Sequence, residues 1–252
     1  MRKVCVLATA LNHLVAWPMP PNLTIDHVRI SGIQIPQHAA GKTLDYWGSN
    51  QGWMNHPVLT RLQAKFGPTS QLTRADLSSL GANVMSGRPN AEVDLLLAVF
   101  IWGSRGVNLH GNASRALNAL TAMPAAIAPI PTMNLENAYR ELSRGGSCHL
   151  PGLGESYFTK YLYFLQHSNL ACVAPKPLIL DNRVWNTLLG QRPTMTRAIL
   201  NWQMPTVPPV PGYSRTEVQY VLYCISLNSW ATALTGIGRA VTPDQIEYYL
   251  FA

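Results

Sequence analysis

SCHLPGLGESYFTKYLYF, residues 147–164, sets two glycines, Gly152 and Gly154, directly ahead of a segment that reads as a helix. Glycine takes positive φ without the penalty a Cβ brings, and its bare backbone lets a partner come close. A helix beginning near Glu155 presents unpaired amides and the positive end of its dipole at the same spot. These features suit a phosphate group. They equally describe a tight turn between two helices that needs no ligand, because one G-x-G is weak evidence. The amphipathic NLENAYRELSRGG, residues 134–146, runs into the turn, and LILDNRVWNTL, residues 178–188, follows after a loop. The order is therefore helix, hairpin, helix.

The rest of the chain carries the punctuation of an all-helical protein. Pro57 sits at a helical start and Gly67 closes PVLTRLQAKFG; Thr73 and Asp76 resemble a capping box; Asn90 precedes the apolar AEVDLLLAVFIW. Ser214 with Glu217 opens a segment in which Val218, Val221, Leu222 and Ile225 fall at helical spacing. Thr242, Pro243 and Gln245 combine a cap, a first-turn proline and a capping-box partner. Short extended pieces are expected at SGIQIPQ, residues 31–37, and PLIL, residues 177–180. No internal repeat and no strand–helix alternation is visible. The proline-rich stretches 123–132 and 204–213 read as ordered connections, each close to a lobe boundary. The expected organisation is an N-terminal segment 1–89 packing with the C-terminal helices 205–252, and a middle lobe 90–204 holding the hairpin.

The chain has 252 residues, long enough for a substantial core in one domain of two lobes. Charged residues make up only 12%, yet 19 Lys and Arg outweigh 12 Asp and Glu, giving a net charge of +7. That excess favours a polyanionic partner, nucleic acid first and an anionic membrane surface second, although a basic surface also serves solubility alone. The four cysteines, Cys5, Cys148, Cys172 and Cys224, are scattered without C-x-x-C pairs or zinc spacing, so free thiols are expected rather than a metal cluster. The start MRKVCVLATALNHLVAW imitates a signal peptide, but Asn12 and His13 interrupt its apolar run and WPMPP offers no small-residue cleavage site. No apolar stretch reaches the length of a membrane span, so a soluble, cytoplasmic protein is expected.

On HLPGLG and LILDNRV the chain resembles the helix-hairpin-helix DNA glycosylase superfamily over about residues 90–200. The resemblance implies an all-α, two-lobed fold with its active site in the cleft between lobes. It implies that Leu150, Gly152, Leu153, Gly154, Glu155 and Ser156 grip DNA phosphates, with K⁺ or Na⁺ at the carbonyls of Cys148, Leu150 and Leu153 and no other cofactor. It places the catalytic aspartate at Asp181, for which an ordinary helix N-cap is the plain alternative, and a phosphate contact at Arg183. Bifunctional members carry a nucleophilic lysine where this chain has Ser156; Lys160 lies four residues on, on the same helical face. The iron–sulfur cysteines of the endonuclease III branch are absent from this chain, which excludes that branch. YFTKYLYF and LILDNRV look most like a bacterial branch with the 8-oxoguanine glycosylase fold, whose members include an antiphage enzyme acting on glucosylated hydroxymethylcytosine.

The implied partner is double-stranded DNA with a modified base, acted on by a bacterial monomer that flips the base, excises it and leaves an abasic site. Rival readings are an 8-oxoguanine glycosylase/lyase using Lys160, and a non-catalytic protein that keeps only the hairpin. Trp47, Asn50 and Trp53, in DYWGSNQGWMNH, are candidates for a base pocket, because aromatic faces and amides suit a flipped base; anchoring a loop to the core is their alternative role. Trp185, Gln219 and Tyr220 are further pocket candidates that fit a core equally well. Arg105 is the candidate for filling the gap left by the flipped base.

Overall fold

A computed structural model describes residues 14–37, 42–49, 53, 55–103, 109–123, 126–167, 175–189, 204–205 and 215–251. Among them are twelve α-helices and no strand, so the fold is all-α. In chain order these are α1 (Pro21–Ile25), α2 (His27–Ser31), α3 (Leu44–Gly48), α4 (Pro57–Phe66), α5 (Arg74–Met85) and α6 (Ala91–Gly103). There follow α7 (Leu109–Ala122), α8 (Leu135–Leu142), α9 (Glu155–His167), α10 (Asn182–Leu188), α11 (Arg215–Gly236) and α12 (Pro243–Phe251).

The local signals act where the sequence puts them. Pro57 is the first residue of α4, and Gly67 ends it at φ +91°, a left-handed geometry that favours glycine. At α5 the capping box forms in full: Asp76 N donates to Thr73 Oγ1 at 3.1 Å, and Thr73 N donates to Asp76 Oδ2 at 2.9 Å. At α12, Thr242 N donates to Gln245 Oε1 at 2.9 Å and Gln245 N returns the bond to Thr242 Oγ1 at 3.3 Å. Ser214 lies outside the described residues. The two expected extended pieces form no strand: residues 32–36 and 177–180 are irregular backbone.

The chain divides into two compact units. Among the described residues, the first holds those within 36–133 and 138–167, and the second those within 14–35, 134–137 and 175–251. In the first unit, α6 packs against α4, α5, α7 and α9. Leu95 through Ile101 are wholly buried, so α6 is apolar on every face and is the unit's central element. Since α5 packs on α6 and α9, residues 74–85 belong with the middle of the chain. In the second unit, α12 packs against α2, α10 and α11, which ties residues 182–188 to the C-terminal helices.

Among the described residues Cys148 and Cys224 are free, buried thiols. Burial pushes the Cys224 thiol up to about 12 and also raises that of Cys148. Only the thiolate is nucleophilic, so at pH 8 the raised thiol and its burial both keep Cys224 unreactive. Iodoacetamide is expected to leave both residues unmodified in the folded protein and to alkylate both in guanidinium, as read by peptide mass spectrometry. Modification of either in the native state at pH 8 would contradict their burial.

Candidate functional site

In the first unit the part of α8 from Ala138 onward, a turn and α9 form the hairpin, and each half of the turn is fastened differently. After α8 the chain reverses through Gly145 at φ +97°. A Cβ at Gly146 would stand 2.4 Å from the carbonyl oxygens of Arg140 and Glu141, so only glycine fits there. Ser147 donates to Glu141 Oε2 through its amide at 2.8 Å and its hydroxyl at 2.6 Å. These bonds, the side-chain one first, hold the Glu141 carboxyl below the usual carboxylate range. Cys148, Leu150 and Leu153 bury their side chains beneath the turn.

Gly152 and Gly154 play different parts. Gly152 has φ +91°, and a Cβ on it would lie 2.4 Å from the Asn112 carbonyl oxygen of α7. Gly154 lacks positive φ, is exposed, and has nothing within 4 Å of where its Cβ would be. Its carbonyl accepts from the amides of Tyr157 at 2.8 Å and Phe158 at 3.0 Å, which starts α9. The Tyr139 hydroxyl donates to the Glu155 carboxylate, and the Tyr139 and Phe158 rings meet edge to face at 5.1 Å. Both contacts lock α8 to α9.

One turn into α9, Lys160 is buried, with 6% of its surface exposed. Its ammonium donates to the Ser156 carbonyl at 2.8 Å and to Ser156 Oγ at 2.7 Å, and lies 5.5 Å from the Tyr157 ring centroid. The aliphatic stem runs past Gly103, the last residue of α6, where an added Cβ would come within 3.2 Å of Lys160 Cδ. The negative end of the α6 dipole favours a cation at this place. Phe100 of α6 stacks on Tyr157 at 4.7 Å and completes the frame.

In the second unit Asp181 is the N-cap of α10: its Oδ1 accepts from the Arg183 amide at 2.9 Å. The carboxylate is half-buried rather than sealed in the core. Arg183 is exposed, with its guanidinium 5.2 Å from the Phe251 ring centroid. Trp185 and Gln219 are half-buried. Tyr220 is wholly buried, and its hydroxyl donates to the Leu178 carbonyl at 3.0 Å.

The structure thus brings the hairpin, Ser156 and Lys160 together in the first unit, and Asp181, Arg183, Trp185, Gln219 and Tyr220 belong to the second. Trp47 and Trp53 are buried in the first unit, packed edge to face at 5.7 Å, and Trp47 also meets the His110 ring at 4.3 Å. Asn50 and Arg105 lie outside the described residues. Sequence reasoning missed Gly103, Tyr139 and Glu141. Only Glu141 had a local signal, an acid six positions before a serine in a turn.

A family model described as "Putative 8-oxoguanine DNA glycosylase OGG-like protein" matches residues 33–251. No curated protein and no solved structure matches the chain.

Proposed function

The chain belongs to the 8-oxoguanine DNA glycosylase-like family and is a DNA glycosylase; from that premise we propose that it excises a bulky modified cytosine, such as glucosylated hydroxymethylcytosine of phage DNA, by water attack. The half-buried carboxylate of Asp181 at the mouth of α10 is the observation that carries this reading. A glycosidic bond inside a duplex is out of reach, so the nucleotide is flipped into a pocket. The first-turn amides of α9, beside the open Gly154, and the +7 charge hold phosphates meanwhile and read no sequence. As the bond to the base lengthens, the sugar becomes oxocarbenium-like, and Asp181 stabilises that cation and orients the attacking water. The carbonyls of Cys148, Leu150 and Leu153 are hard oxygen donors suited to K⁺ or Na⁺, which would add positive charge beside a phosphate; that of Leu150 also accepts from the Leu153 amide at 3.0 Å.

The preference for a modified cytosine rests on the resemblance of YFTKYLYF and LILDNRV to the antiphage branch and on Ser156 at the lysine position. A second reading, an 8-oxoguanine glycosylase/lyase, is favoured by Lys160: its ammonium is desolvated and rests on Ser156. After losing a proton, its neutral amine would attack the sugar C1′ as the bond to the base breaks, and elimination through the resulting imine would then nick the strand. The monofunctional reading keeps Lys160 as an ammonium held by the Ser156 oxygens.

The test incubates the protein with ordinary DNA, 8-oxoguanine DNA and glucosylated phage DNA, identifies released bases by mass spectrometry and adds borohydride to trap imines. Release of the glucosylated base with an intact abasic strand is expected. Release of 8-oxoguanine with a trapped adduct that Lys160→Gln abolishes would establish the lyase instead, and no release from any substrate would leave a DNA-binding protein.

A further inference from the structure

Residues 177–180 run irregularly into the Asp181 cap without a neighbouring strand, yet the side chains of Leu178, Ile179 and Leu180 are buried. Buried backbone N–H and C=O groups must be paired, and here side chains of two helices pair them. Tyr220 Oη donates to the Leu178 carbonyl at 3.0 Å, and Tyr223 Oη donates to the Ile179 carbonyl at 3.0 Å. The Ile179 amide donates to Glu247 Oε2 at 3.3 Å. Tyr220 and Tyr223 are wholly buried and Glu247 is 5% exposed, so this grip lies out of water.

Two consecutive residues are thus held through their main chains, independent of side-chain identity at 178 and 179. Asp181 follows two residues later as the cap of α10. Full burial, and then the nearby Glu247, push the Tyr223 hydroxyl well above the usual tyrosine range, which favours its protonated, donating form. We infer that Tyr220, Tyr223 and Glu247 are positioning residues that fix the main chain leading to Asp181, and so the place of its carboxylate. The inference rests on Asp181 as the catalytic carboxylate. It gives Tyr220 a role different from lining a base pocket. Displacing a catalytic group by about 1 Å slows reactions by about 100-fold.

Tyr220→Phe and Tyr223→Phe remove one hydroxyl each, and Tyr249→Phe is the matched control: its buried hydroxyl donates to Asp26, away from residues 178–179. Hydrogen exchange is followed on the peptide covering 177–182. Single-turnover base release and DNA affinity are measured on duplexes bearing 8-oxoguanine and glucosylated hydroxymethylcytosine, at a temperature where all variants are folded. Faster exchange in that peptide is expected in the Tyr220 and Tyr223 variants, with excision slowed about 10- to 100-fold and affinity unchanged. Tyr249→Phe is expected to move neither. Unchanged exchange, or unchanged excision despite faster exchange, would overturn the inference. Undiminished excision by Asp181→Asn in the same series would instead overturn the premise, so the two failures are told apart.

Discussion

Asp181→Asn is expected to slow base release by about 100- to 1,000-fold while leaving DNA affinity intact and stability within about 0.5 kcal/mol of the parent. Asparagine caps a helix as well as aspartate, so the bond from the Arg183 amide, 2.9 Å in the parent, survives and α10 stays in place. What disappears is the negative charge that, in the proposed mechanism, stabilises the developing sugar cation. Asp181→Ala separates the two roles, because it removes the cap as well and should lower stability by about 1 kcal/mol. Excision kinetics and thermal melts on the pair check both parts. Undiminished excision by Asp181→Asn would reduce Asp181 to a structural cap and place the catalytic group elsewhere.

The hairpin glycines give the second large effect, and the two should separate cleanly. Gly152→Ala forces a Cβ into the left-handed region, which costs about 1–2 kcal/mol, and pushes it to 2.4 Å from the Asn112 carbonyl oxygen. The total expected loss is about 2–4 kcal/mol, seen as a lower melting temperature. Gly154→Ala meets nothing within 4 Å and no unusual φ, so its melting temperature should hold or rise slightly. If α9 receives a phosphate beside Gly154, the same substitution weakens DNA binding about tenfold, equally for all sequences and with a shallower salt dependence. Unchanged affinity in a folded Gly154→Ala protein would remove the hairpin from the DNA interface.

Much of the fold was legible because helix signals are local. The Thr73–Asp76 box, the Thr242–Gln245 box and the Pro57–Gly67 bracket each act within one or a few turns, and each marks a real helix end. The hairpin was legible for the same reason, and so was Asp181 as a residue at a helix start. Lys160 was recognised as a neighbour of Ser156 from four-residue spacing, but its burial was not, since that depends on Gly103 making room for its stem from another helix. Packing turns Trp47 and Trp53 toward one another and Trp47 toward His110, and it brings the Tyr220 hydroxyl to the Leu178 carbonyl, contacts that no local spacing announces.

By itself, then, the sequence determined an all-α chain, its helix ends, the glycine hairpin and the acidic cap downstream, all properties of residues within a few positions of one another. Tertiary structure alone decided which polar side chains are buried and what they hold. Tyr220, Tyr223 and Glu247 grip main-chain groups 42, 44 and 68 positions away. The physical reason is that a buried backbone group must find a partner, and when no neighbouring strand supplies one, the partner is whichever side chain the packing of distant helices brings within reach.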